Sequence, residues 1–152
     1  EVHGMAQRGG SVVTFVRYGD KVYEPIVEEG QADVLIAFEK LEALRYAHFL
    51  KKDGVMIVNE QEIAPMTVVT GACDYPDNII DNLKKEHKVV SINAMDEAKK
   101  LGNTRCFNVV ILGLAAKSMD FDKDEWLSVI ADTVPKKTVD INQKAFIAGF
   151  ES

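Results

Sequence analysis

Residues 33–38, Asp-Val-Leu-Ile-Ala-Phe, constrain this chain more than any other stretch. The run is apolar from its second residue to its last and too short for a buried helix. A strand covered on both faces has this form. Residues 39–51 follow with Leu41, Leu44 and Ala47 or His48 at helical intervals. Glu39 and Glu42 fall in the first turn and Lys51 and Lys52 at the end, the placement a helix dipole favours. Asp53-Gly54 is predicted to stop the helix, and residues 55–58, Val-Met-Ile-Val, form a second buried strand. Strand, helix, strand at this spacing is a βαβ unit, which commits the chain to a parallel sheet.

The rest of the chain is consistent with one α/β domain. Residues 12–16 and 21–27 are rich in β-branched and aromatic types, and Gly19-Asp20 between them predicts a hairpin. Pro25 places its strand at an edge or ends its pairing early. Further strands are predicted at 66–70 and 88–92. Helices are predicted at 76–85, at 96–101 and from Thr104, as the cap, to 117. The last of these is apolar nearly all round, so it should be buried, with Gly113 allowing close packing. Two more helices, 124–134 and 138–150, are separated by Pro135.

Size and charge then exclude several classes. The chain has 152 residues, one domain's worth, and 47% of them are hydrophobic. Its net charge of −6 disfavours nucleic acid, whose binders need cations to neutralise phosphate. No apolar run approaches the roughly 20 residues that cross a bilayer, so no membrane partner is expected. Its 2 cysteines, Cys73 and Cys106, are too few for a disulfide scaffold or for an iron–sulfur cluster held by this chain alone. No metal-ligand spacing, Walker loop, GxGxxG fingerprint or Ser-His-Asp set is present.

Candidate site residues fall into two groups. The first is the opening segment, where His3, Gly4, Met5, Gln7, Arg8, Gly9, Gly10 and Ser11 combine polar reach, a guanidinium fork and two adjacent glycines. Such a loop can face an anionic ligand or a partner's active site, or be a flexible turn into the first strand. The second group is weaker. Asn59, with adjoining Glu60, ends a buried strand, and Glu39 follows another; ligands gather beyond the carboxyl ends of such strands. Asn59 is better explained locally, as a strand end that caps its own backbone, and Glu39 is equally well explained as a first-turn charge. Asn108 lies within the apolar helix, where a buried amide needs a partner, and Asn142 is read in the same way. His48 and His87 fall in helical patterns with no ligand spacing.

The sequence Glu1-Val2-His3-Gly4-Met5-Ala6-Gln7-Arg8-Gly9-Gly10-Ser11-Val12 resembles the signature of gamma-type subunits of 2-oxoacid:ferredoxin oxidoreductases. The branch it is most similar to is the indolepyruvate:ferredoxin oxidoreductase beta subunit. The resemblance continues through residues 32–45 and 55–59, through Gly102-Asn103-Thr104-Arg105 and Asn108-Val109-Val110-Ile111-Leu112-Gly113, and into residues 142–146 with Gly149. It implies a single gamma-type domain over residues 1–152 with a three-layer α/β/α, Rossmann-like fold and a mainly parallel, mixed sheet. Members usually begin with a strand and a GxGGQG-type turn ahead of this motif, so the resemblance also implies that an N-terminal βα unit is missing here.

In function, the resemblance implies a cytoplasmic subunit of an enzyme that oxidatively decarboxylates a 2-oxoacid, here indole- or arylpyruvate, to acyl-CoA. Ferredoxin takes the electrons. Thiamine diphosphate, Mg and iron–sulfur clusters would sit in a larger partner subunit, with none bound by this chain. Residues 3–11 would then lie near that partner's active site, and Arg8 is the best candidate for an electrostatic contact. The alternatives are a member specific for pyruvate, 2-oxoisovalerate or 2-oxoglutarate, a stand-alone Rossmann-like module that binds a nucleotide or coenzyme A, and a purely structural assembly subunit.

Overall fold

The computed structural model describes residues 12–152. Three parallel strands, β1 (Ala32–Ala37), β2 (Leu50–Asn59) and β3 (Lys88–Ile92), lie in the order β1-β2-β3. Helices α1 (Lys40–Tyr46), α2 (Met66–Val69) and α3 (Ile79–Leu83) occur between the strands. Helices α4 (Ala94–Lys100), α5 (Phe107–Ala116), α6 (Lys123–Thr133) and α7 (Val139–Phe150) follow them.

Strand alternation sorts the core into two layers. Val34, Ile36, Val55, Ile57, Val90 and Ile92 face one side, where they meet residues of α4, α5, α6 and α7. Leu35, Ala37, Met56, Val58 and Val89 face the other and meet Ala43 of α1 and Ile79 and Leu83 of α3. Both faces of β2 are therefore covered along residues 55–58, which is why that part of the strand is continuously apolar. Helix, sheet, helix is the expected three-layer α/β fold. Among the described residues the sheet is wholly parallel, and no helix is long and apolar enough to cross a membrane.

Within the first of these layers α5 and α7 meet at backbone contact distance. A Cβ on Gly113 would stand 2.0 Å from the carbonyl oxygen of Phe146. Gly113 thus allows the close packing its place in an apolar helix suggests, and Gly149 does the same from the facing helix.

Several local expectations are overturned. The helix after β1 ends at Tyr46, passes through a 3₁₀ turn (Ala47–Phe49) and gives way to β2, so Asp53-Gly54 lies inside a strand rather than ending a helix. The reason is a register jump: Ala32 pairs with Leu50 but Val34 pairs with Val55. Gly54 sits where this irregularity closes, and a Cβ there would fall 2.7 Å from Leu50 Cδ1 and 3.0 Å from the Ala32 and Asp33 carbonyl oxygens.

Residues 66–70 are not a strand: Met66–Val69 form a one-turn helix opened by Pro65 and capped by Thr70. Residues 12–27 form no hairpin: Val12, Thr14 and Val16 point outward and Val13 and Phe15 inward as in a strand, yet no ladder joins them. An extended segment without a paired neighbour gains none of the bonds that define a strand. Instead Phe15 packs on Phe49 and the Arg17 guanidinium donates to the Glu24 and Ile26 carbonyls. Finally, Asn103 rather than Thr104 caps the turn ahead of α5, its side chain accepting from the Arg105 N–H at 3.0 Å.

Candidate functional site at the carboxyl edge of the sheet

In a parallel sheet the carboxyl ends of all strands share one edge, and loops there are free to vary. Glu39 and Asn59 both arrive at this edge, one just after β1 and the other as the last residue of β2. Among the described residues they are the two buried polar side chains, with 5% and 0% of their surface exposed.

Each is fully used. Asn59 Nδ2 donates to the Phe38 carbonyl at 3.1 Å and to Gln61 Oε1 at 3.2 Å, and Oδ1 accepts from the Ala94 N–H at 3.0 Å. One amide thus ties the ends of β1 and β2 to the start of α4. Glu39 caps α1, with Oε2 accepting from the Glu42 N–H at 3.0 Å. Its other oxygen, Oε1, accepts from the Ile63 N–H at 3.2 Å and from the Tyr75 hydroxyl. Burial, then the bond to Glu39, pushes the Tyr75 phenol well above its ordinary range. Sequence reasoning missed Tyr75. It lies 36 residues from Glu39, in a polar loop with no local pattern.

Backbone bonds complete the edge. Lys40 N–H donates to the Gln61 carbonyl at 3.1 Å, and Glu60 N–H donates to Ile92 at 2.8 Å. Glu60 Oε1 accepts from the Ser91 hydroxyl at 2.6 Å. Beside these residues lies a shallow cavity of about 250 Å³ lined by Glu60, Gln61, Glu62, Asn93, Asp96 and Lys99 among others. Its carboxylates outnumber its one lysine, and that lysine is paired with Asp96 at 2.9 Å. A phosphate would meet net negative charge here, so the cavity does not suit a nucleotide.

The remaining candidates separate. His3, Gly4, Met5, Gln7, Arg8, Gly9, Gly10 and Ser11 lie outside the described residues. Asn108 is exposed on α5 rather than buried in it, because the helix turns this position away from the sheet; it does not join the site. Asn142 is half-buried and bonds the Thr138 carbonyl at 2.8 Å, a structural role. His48 is exposed. Cys73 is exposed, while Cys106 is buried, its Sγ donating to the Asn103 carbonyl. Among the described residues no group of three or more His, Cys, Asp or Glu side chains could hold a metal ion.

The layered α/β architecture with its parallel sheet is similar to that of oxoacid oxidoreductase subunits. The solved keto/oxoacid ferredoxin oxidoreductase gamma subunit of Geobacter sulfurreducens superposes with a TM-score of 0.57 at 25% identity, over 83% of this chain and 66% of that one. The Thermotoga maritima pyruvate oxidoreductase subunit PORC does so at 0.54 and 18% identity, over 79% of this chain and 62% of that one, a likeness of fold alone.

Sequence comparison makes the assignment more particular. The family model described as pyruvate ferredoxin/flavodoxin oxidoreductase matches residues 1–152, and the chain belongs to that family. Several relatives carry the name indolepyruvate oxidoreductase subunit IorB, two of them as follows. The Archaeoglobus fulgidus protein is 44% identical over 99% of this chain and 77% of its own length. The Thermococcus kodakarensis protein is 39% identical over 100% of this chain and 78% of its own. By family, then, this is a subunit of a 2-oxoacid:ferredoxin oxidoreductase.

Proposed function

We propose that this chain is a cytoplasmic subunit of an indolepyruvate or arylpyruvate:ferredoxin oxidoreductase, forming a single gamma-type domain over residues 1–152. Its larger partner subunit would hold thiamine diphosphate with Mg and the iron–sulfur clusters, and CoA would accept the acyl group. The observation that carries the reading is the 44% identity, across nearly the whole chain, with a protein named for indolepyruvate. The chemistry of the described residues agrees: their polar groups at the carboxyl edge are spent on each other, which suits a chain that shapes an assembly. In such an enzyme the cofactor performs the hard steps while protein groups position and shield it. Residues 3–11 would face the partner's active site, with Arg8 making the electrostatic contact.

The test is reconstitution. The chain, combined with its larger subunit, should support reduction of an electron acceptor that depends on indolepyruvate and CoA. Arylpyruvates should be turned over faster than pyruvate, 2-oxoisovalerate or 2-oxoglutarate. Preference for one of those three would reassign the substrate. Turnover independent of this chain would remove it from the enzyme altogether. Arg8→Ala should lower turnover in the assembled complex; an unchanged rate would make the chain a purely structural subunit.

A further inference from the structure

Residues 60–77 leave β2, cross the carboxyl edge through α2 and return towards α3. They form a strap with an unusual surface. Ile63, Met66 and Val69 are 57%, 72% and 64% exposed. Met66 and Val69 are three apart on α2 and so share one face, while Val68 turns inward. The strap is not loose. Its near end is held by Ile63 N–H on Glu39 Oε1 and by Lys40 N–H on the Gln61 carbonyl, and its far end by the Tyr75 hydroxyl on Glu39. The Thr70 hydroxyl closes α2 on the Met66 carbonyl at 2.9 Å. Apolar side chains are thus presented to solvent on a fixed backbone, which lowers the ordering cost of binding.

Charge identifies the kind of occupant. From Asp53 to Leu83 the sequence contains no Lys, Arg or His. Exposed carboxylates Glu60, Glu62, Asp74 and Asp77 flank the apolar positions. Glu62 is paired with Lys40, and Glu60 takes the Ser91 hydroxyl. Asp74 and Asp77 have no charge partner among the described residues. A second copy of this chain would bring the same acidic rim against itself, and like charges across an interface oppose association.

We infer that the strap of residues 60–77 is a docking surface for a different chain, one presenting apolar side chains ringed by Lys and Arg. Within the assembly proposed above, on which this inference rests, that chain is the larger oxidoreductase subunit. The strap is separate from residues 3–11 in sequence and supplies contact area and charge matching rather than a group facing substrate.

The test measures binding of the full-length chain to its larger subunit. Met66→Asp with Val69→Asp should weaken binding by at least about tenfold, the loss expected on burying charge at a central contact. Asp74→Lys with Asp77→Lys should weaken it and flatten its salt dependence, since rim charges set the electrostatic part. Val129→Asp, at another exposed apolar position on α6, should bind as the parent does. Circular dichroism checks each fold; if the Met66/Val69 variant fails to fold, the Asp74/Asp77 variant decides alone.

Parent-level affinity and salt dependence in the strap variants, with the parent chain still assembling, overturn the inference and leave the subunit reading standing. Failure of the parent chain to bind at all overturns both. If the parent self-associates and the Met66/Val69 variant loses only that self-association, the occupant is a second copy and the inference is wrong.

Discussion

Gly149 lies so close to Val110 that a Cβ added to it would stand 1.9 Å from the Val110 carbonyl oxygen and 2.8 Å from its carbonyl carbon. The opposed backbone cannot yield as a flexible side chain would. Helix propensity alone would favour Gly149→Ala by up to about 1 kcal/mol. Sterics outweigh it, because α5 and α7 would have to separate across a core that holds Phe146 and Ile111. Gly149→Ala and Gly113→Ala should each lose about 3 kcal/mol of stability, read by urea denaturation. A neutral or stabilising result at either position would show that the two helices do not meet as described.

Asn59 supports the second prediction. Removing its amide with Asn59→Ala strands the buried Ala94 N–H, at a cost of about 1–3 kcal/mol. Asn59→Asp should cost more at neutral pH, because a carboxylate would face the Phe38 carbonyl and Gln61 Oε1 that the Nδ2 group now serves. Protonation restores a donor, so the Asp variant's folded-state pKa would be raised. Its deficit should shrink as pH falls towards the ordinary Asp range. Thermal melts of both variants from pH 7 to pH 4 check this; a pH-independent gap between them would contradict the assigned bonds.

How far the sequence discloses this site follows from the range of its interactions. Strands β1, β2 and β3 are legible because each carries a compact apolar run that only a covered strand explains. Glu39 and Asn59 are legible as edge residues because they directly follow such runs. What joins them is not. Tyr75, Gln61 and Ala94 reach the edge through loops whose course depends on tertiary packing, and no local pattern marks them. The same limit explains residues 66–70, where β-branched types suggest a strand but no neighbour pairs with them and Pro65 starts a helical turn. It also explains Asn108, whose exposure depends on a rotation of α5 that its nearly uniform apolar sequence does not fix.

Tyr75 supports the third prediction. Its phenol is held neutral in the folded state by burial and by the Glu39 carboxylate, so its proton is bound more tightly there than in the unfolded chain. The sign follows directly. Below the unfolded value of about 10 both states keep the proton and the hydroxyl's contribution is fully present. As pH rises past 10 the unfolded state ionises first and stability is lost. An ultraviolet titration should show Tyr75 ionising only with unfolding, and Tyr75→Phe should remove part of the alkaline loss. A Tyr75 that titrates normally while the protein stays folded would contradict the buried bond.

The cysteines supply the last prediction. Cys73 is exposed, whereas Cys106 is 2% exposed and its Sγ donates to the Asn103 carbonyl at 2.9 Å. Burial raises the Cys106 thiol above its ordinary value and so depletes the reactive thiolate near neutrality. A disulfide reagent at pH 7.5, about one unit below the ordinary cysteine pKa, should therefore label one thiol quickly in the native protein and the second only as the fold opens. Cys73→Ser should abolish the fast phase, and Cys106→Ser should leave it intact. The slow phase then becomes a local probe of the turn ahead of α5: Gly113→Ala, by displacing that helix, should speed it. Equal native reactivity of the two thiols would mean that Cys106 is not enclosed by α4, α5 and α7.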